Sequence, residues 1–173
     1  MKNFTIIAGV SGVGKTSMMG VLRAEDTDLG EILCEEDASE EVARDIISNG
    51  HDFSLETALY GGMAKHICLQ AKEAGYNIRM YYIGLDTLNE SLLRIRNRVE
   101  RGGCDVSAKD VESQFAHRFE DVLEILPYCE EAKLFDNYNG FALVAEYRNG
   151  EILPVETYRP AWLSQLLEKF QKQ

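Results

Sequence analysis

One octapeptide limits this chain more than any other feature. Gly9-Val10-Ser11-Gly12-Val13-Gly14-Lys15-Thr16 follows an apolar run, Asn3 to Ala8, and leads into an amphipathic stretch, Gly14 to about Arg23. A loop of this pattern between a buried strand and a helix is a complete P-loop. Glycines reach backbone conformations closed to other residues, so successive N–H groups turn inward around an anion. The helix that follows presents its positive end to the same anion. Lys15 adds a point charge near the outer phosphates, and Thr16 a hydroxyl suited to a hard cation. Gly9, Val10, Ser11, Gly12, Val13, Gly14, Lys15, Thr16 and the adjoining Ser17 are therefore the expected nucleotide-binding residues. ATP and Mg²⁺ are the expected cofactors, with Thr16 on the metal.

The rest of the chain alternates strands and helices. Strands are expected at Glu31 to Cys34, Phe53 to Ala58, Asn77 to Leu85 and Lys133 to Phe135. Helices are expected at Ser39 to Asn49, Gly62 to Ala74, Asp86 or Thr87 to Arg101, and Ser107 to about Leu126. Ser39 reads as a cap with Glu40 and Glu41 behind it and Gly50 as the stop. Ser107 with Asp110 three residues later resembles a capping box. Asn149-Gly150 between Ala142 to Tyr147 and Glu151 to Val155 reads as a type I′ hairpin. Pro160 to Lys172 reads as a closing helix. Alternation of this kind predicts βαβ units. The expected fold is α/β: a three-layer P-loop NTPase domain, its mainly parallel sheet flanked by helices, with a C-terminal antiparallel hairpin. Residues 1–173 suit a single kinase-like domain, with residues 86–126 as a possible lid.

Composition narrows the function. A net charge of −11 repels phosphate backbones and anionic lipid headgroups, which disfavours nucleic acid as a partner. The four cysteines form no CxxC pair and join no His at zinc-ligand spacing, so they read as reduced and mostly structural. No apolar run approaches the ~20 residues needed to cross a bilayer, and no leader precedes the first strand; a cytoplasmic protein without a membrane partner is expected. No Asp is followed by x-x-Gly and no Asn-Lys pair occurs, which argues against a regulatory GTPase. A chain of this length fits a small phosphoryl-transfer enzyme.

Such an enzyme needs a carboxylate near the acceptor hydroxyl, contacts to the acceptor and cations over the γ-phosphate. Asp37, just past the strand ending at Cys34, falls on the carboxyl edge of the sheet, where it would take the acceptor proton or help hold Mg²⁺. Its other reading, with Glu35 and Glu36, is a solvated acidic turn. Glu56 alternates opposite Phe53 and Leu55 and is a candidate acceptor contact or a plain surface residue. Arg94, Arg98 and Arg101 share one helical face. Leu88, Leu92, Ile95 and Val99 form a separate stripe directed to the core. The Arg face would close over the triphosphate, hinged at Gly102-Gly103, or else be solvated.

These residues together resemble the zeta-toxin-like P-loop kinases, specifically their short bacterial members. The resemblance spans nearly the whole chain. It rests on the P-loop, Phe53-Ser54-Leu55-Glu56-Thr57, Ala74-Gly75-Tyr76 before Tyr82-Ile83-Gly84-Leu85-Asp86, Arg94-x-x-x-Arg98-Val99, Gly102-Gly103-x-Asp105-Val106, Phe135-Asp136-Asn137 and Trp162-Leu163. It implies phosphorylation of a sugar hydroxyl on UDP-N-acetylglucosamine. Lys15 and Thr16 would hold nucleotide and Mg²⁺, Asp37 would be the general base, Glu56 would contact the acceptor, and Arg98 or its neighbours would bind phosphate. Glu35 stands where the family usually has Asn, Cys104 where it has His, and Ser113-Gln114 where it has Arg-Arg. Arg118, on the flank of the stripe formed by Val111, Phe115, Val122 and Leu126, is the candidate replacement cation. An ATP-binding regulatory or interaction protein that has lost transfer is the alternative. An antitoxin-like partner fits the family, but nothing in this sequence displays one.

Overall fold

The computed structural model describes residues 1–156 and 158–173. Seven strands form one sheet: β1 (Asn3–Ala8), β2 (Glu31–Cys34), β3 (Phe53–Thr57), β4 (Asn77–Gly84), β5 (Glu131–Asp136), β6 (Ala142–Arg148) and β7 (Glu151–Pro154). Their spatial order is β2-β3-β1-β4-β5-β6-β7. The first five run parallel, and β6 and β7 add antiparallel at one edge. The tip between β6 and β7 places Asn149 at φ 53° and Gly150 at φ 79°, the paired positive values a type I′ turn requires.

Six α-helices connect and cover the strands: α1 (Lys15–Ala24), α2 (Glu40–Asn49), α3 (Met63–Glu73), α4 (Leu88–Glu100), α5 (Ala108–Ile125) and α6 (Ala161–Gln171). Three start at the caps their sequences announce. The hydroxyls of Ser39, Thr87 and Ser107 accept from the backbone N–H of Val42, Glu90 and Asp110. Pro127 does not end α5 abruptly; Leu126–Tyr128 tightens into one 3₁₀ turn, which tolerates Pro early because its N–H would be unpaired there.

Parallel strands covered on both faces should be apolar throughout, and β1 is buried from Phe4 to Ala8. The larger core lies on the face carrying Phe4, Ile6, Phe53, Leu55, Met80 and Tyr82, covered by α2, α3, α5 and α6. On the other face Ile7, Ile83 and Leu85 pack against Met18, Met19 and Leu22 of α1. A third, small cluster joins Val10 of the P-loop to Ile95 of α4 and Val111 of α5.

That small cluster corrects the reading of α4. Ile95 is buried and Leu88 and Leu92 are partly so, but Val99 is 38% exposed. The helix crosses the tip of the P-loop with its middle turns, and its last turn runs past anything that could cover it. Close packing of another kind fastens α6. A side chain at Gly84 would place its Cβ 2.3 Å from the ring of Trp162. The Trp162 indole N–H donates to Asp136 (2.8 Å), and its backbone N–H donates to Asp86 (2.8 Å).

Candidate active site

The sheet places the P-loop where strand order reverses. β1 has β3 on one side and β4 on the other, and the chain leaves it first toward β2, then toward β5. In open α/β sheets this switch point opens a crevice at the carboxyl ends of the strands. Gly12 shows why the loop needs glycine. It sits at φ 84°, and a Cβ there would fall 2.7 Å from the Ser91 carbonyl oxygen of α4. The loop ends at Gly14, and α1 begins at Lys15 with no acidic residue in its first turn, so its amide end faces the crevice uncompensated.

A cleft of about 630 Å³ opens above this loop. Its floor is Ser11, Gly12, Gly14, Lys15, Thr16 and Ser17. Gly9, Val10 and Val13 lie buried behind the floor. The Lys15 ammonium donates to the Gly9 carbonyl (2.6 Å). Burial lowers its pKa to about 8; Glu35 and Glu56 partly counter that, and Arg98 adds to it.

One wall comes from the ends of β2 and β3. Glu56 Oε1 accepts from the Thr16 hydroxyl (3.2 Å), and its Oε2 accepts from the Cys34 thiol (3.7 Å). That contact and desolvation raise the thiol pKa, desolvation most. Glu35 is tied down more firmly. It accepts from the Thr57 hydroxyl (2.9 Å) and the Ala58 amide (2.8 Å), while Thr57 Oγ1 accepts from the Leu59 amide (2.9 Å). Leu59 is buried at φ 67°, an unusual value for a branched side chain. The turn it makes presents Tyr60 to the cleft, where the ring leans on His117 with centroids 5.5 Å apart.

The opposite wall and the roof come from α4, α5 and the loop between them. Arg94 and Arg98 line the cleft. The Arg94 guanidinium donates to the Asn137 carbonyl, and the Asn137 side chain donates to the Val13 carbonyl (3.0 Å). Arg98 Nε donates to the Cys104 carbonyl (2.9 Å). Gln114 reaches down from α5, and its Oε1 accepts from the Ser11 amide of the P-loop (2.9 Å).

The structure thus gathers the P-loop, Glu56, Arg94 and Arg98 around one space. Asp37 is not on its wall. It lies on the expected edge of the sheet, but exposed, in a turn whose amide donates back to Cys34 (3.0 Å). Glu35 and Glu36 of the same turn line the cleft in its place. Arg101 faces a neighbouring groove with Asn97 and Gly103. Arg118 is turned away altogether. It packs over the rings of Phe115 and Phe119, and its Nη1 donates to the Phe115 carbonyl (2.8 Å). Its flank position on α5 brings it to the aromatic core, whose rings draw the planar guanidinium in. Glu35, Gln114, Tyr60 and Asn137 went unread in the sequence as site residues. Only Glu35 and Gln114 carried a signal, as departures from the family pattern.

Strand order, P-loop and crevice define a P-loop nucleotide-binding fold. Solved structures narrow the fold further. The chain is similar to the AvrRxo1-ORF1:AvrRxo1-ORF2 complex with sulphate ions, at TM-score 0.64 and 15% identity over 98% of this chain and 63% of the other. The same complex with ATP matches at TM-score 0.63, 15% identity and the same coverage. A structure of the PezAT chromosomal toxin–antitoxin system of Streptococcus pneumoniae matches at TM-score 0.63 and 13% identity, over 99% of this chain and 84% of that one. The chain therefore has the zeta-toxin-like kinase fold, and spans under two thirds of the AvrRxo1-ORF1:ORF2 chains it matches. No family model matches it, and no curated protein does. Among the described residues, no helix is long and apolar enough to cross a membrane.

Proposed function

We propose that this chain is a P-loop kinase that transfers the γ-phosphoryl group of ATP to a hydroxyl of a small molecule, with Mg²⁺. One observation carries the reading: the P-loop, two arginines and a row of carboxylates border a single cleft. The fold it shares with a structure solved with ATP adds support. Lys15, Arg94 and Arg98 would stabilise the charge that develops on the transferring group. The amide end of α1 would hold the β-phosphate region.

The residues present suit Mg²⁺. Thr16 Oγ1 and Glu56 Oε1 lie 3.2 Å apart at the cleft, an oxygen pair of the kind Mg²⁺ takes while keeping waters and phosphate oxygens as its other ligands. No group of three or more His, Cys, Asp or Glu among the described residues forms a metal cage, which matches a cation carried chiefly by its nucleotide. When bound, Mg²⁺ would offset charge on the phosphate oxygens.

The acceptor proton passes to a carboxylate at the ends of β2 and β3. The resemblance proposes Asp37; the wall geometry favours Glu56, already beside Thr16. Steady-state transfer by D37N and E56Q decides between them. Loss of general-base help costs ~10²–10⁴-fold in kcat. We expect E56Q to lose that much and D37N to stay within threefold; the reverse pattern would restore Asp37.

A second reading has one observation behind it. Gln114 holds the Ser11 amide from the place where the family has a cation. A roof without that charge would suit an ATP-binding regulatory protein that does not transfer phosphate. ATP stabilisation with no ADP release across a broad metabolite screen would establish it. The matched structures include toxin–antitoxin and two-protein complexes, so a protein partner over this cleft belongs to both readings.

A further inference from the structure

We propose that the acceptor is a polyhydroxylated compound carrying a protonated amine and no phosphate, recognised by Glu36 and Tyr60. The proposal rests on the kinase reading and specifies its acceptor.

The charges around the cleft divide by wall. Lys15, Arg94 and Arg98 are its only basic lining residues, against Glu35, Glu36, Glu56 and Asp110. All three cations belong to the nucleotide half. Lys15 is in the P-loop. Arg94 is held to Asn137, which is itself bonded to Val13 of the loop. Arg98 lies within the field of Lys15. No basic residue is left on the acceptor wall. A nucleotide sugar would bring its diphosphate into a wall of carboxylates, and like charges brought together out of bulk water repel strongly.

The same wall suits a cation. Glu35 has both oxygens engaged by Thr57 and Ala58, and Glu56 by Thr16 and Cys34. Glu36 is the lining carboxylate of this wall with no hydrogen-bond partner among the described residues, so its charge is open to a ligand. Tyr60 supplies an independent element. Its ring is 44% exposed at the cleft, held from behind by His117 and by the constrained turn at Leu59. An aromatic face beside a carboxylate is the pairing that recognises an organic ammonium group. The hydroxyls of the same ligand would meet Glu56.

The reaction balances without a further reactant. The acceptor oxygen bonds to the γ-phosphorus as the bond from that phosphorus to the β,γ-bridging oxygen breaks. ADP leaves with the electron pair, and the hydroxyl proton passes to the carboxylate.

Calorimetry on protein saturated with Mg²⁺ and the non-hydrolysable analogue AMP-PNP tests this at pH 7. The probes are an inosamine, myo-inositol and UDP-N-acetylglucosamine. A charge-assisted contact predicts an inosamine at least about tenfold tighter than inositol, with the nucleotide sugar weakest. E36Q and Y60L should each lower the amine-to-neutral ratio several-fold, measured within each variant so that a general loss of affinity cancels. An inosamine that binds no better than inositol, absence of binding included, overturns the proposal, as does a preference for UDP-N-acetylglucosamine. Failure to bind AMP-PNP at all sinks the kinase reading with it. Binding of AMP-PNP without amine preference removes the acceptor class alone.

Discussion

Lys15 combines two demands that oppose each other. It must be charged to meet a triphosphate, yet the folded protein partly buries it, bringing its pKa from 10.5 to about 8. The unfolded chain therefore holds this proton more tightly than the folded one. Without nucleotide the group destabilises the fold below pH 8, and that cost fades as pH rises from 8 toward 10.5. K15M should accordingly be more stable than the parent at pH 7 in the absence of ATP, with the difference vanishing near pH 10.5. Its ATP affinity should fall by roughly 10- to 100-fold. Denaturation midpoints across pH and a nucleotide titration check both halves. Asp121 on α5 behaves in the opposite sense. Its Oδ2 is buried without a partner, and burial pushes its pKa up to about 6. The native state takes up its proton at higher pH than the unfolded state, so its cost is full above pH 6 and disappears toward the ordinary carboxylate range. D121N should raise stability at pH 7 by on the order of 1 kcal/mol and do nothing near pH 4, as read from urea midpoints.

Element by element, α5 connects the site to the body of the protein. Its first turns carry Asp110 and Gln114 to the cleft, while Phe119, Val122, Leu123 and Ile125 sit in the main core. Residues 86–126 therefore do not make one independent lid. A closing motion that leaves the core intact involves α4 and the start of α5, joined through Gly102-Gly103. Removing the cap with S107A should cost ~1 kcal/mol. It should also weaken ATP binding measurably, because the frayed turn precedes the one that carries Gln114. A thermal-shift series with and without ATP separates the two effects. At Gly84 the backbone leaves no room beside Trp162, so G84A should lose about 1–3 kcal/mol, measured by chemical denaturation.

Much of this element layer was legible because it is written locally. Ser39, Thr87 and Ser107 cap helices through contacts three residues away, and Asn149-Gly150 makes its turn from its own backbone preferences. Glu56, Arg94 and Arg98 could be placed because strand and helix periods set their faces. The missed features are contacts between distant parts of the chain. Gln114 meets Ser11 across 103 positions and Asn137 meets Val13 across 124. Asp37 fell on the predicted edge, yet the path of one turn sets Glu35 and Glu36 on the wall and leaves it outside. Arg118 lies on the flank its helix predicts, but only the assembled aromatic cluster shows where it is held.

At the scale of the molecule, charge has a different meaning on each side of the cleft. The chain carries −11 overall, yet the P-loop half concentrates cations. A small cationic acceptor would be drawn toward such a surface, and a polyanion repelled, except at the one spot built for a triphosphate. Oligonucleotide binding at physiological salt should be undetectable by gel shift; a salt-sensitive complex would contradict the charge reading.

Trp162 is the only tryptophan in the chain. Its indole is buried against Gly84 and bonded to Asp136, one residue from the Asn137 that touches the P-loop. The protein therefore carries its own optical reporter. Emission should be blue-shifted in the intact molecule and move to the red when α6 detaches. Changes in its intensity as nucleotide is added would follow events at the loop without any attached dye.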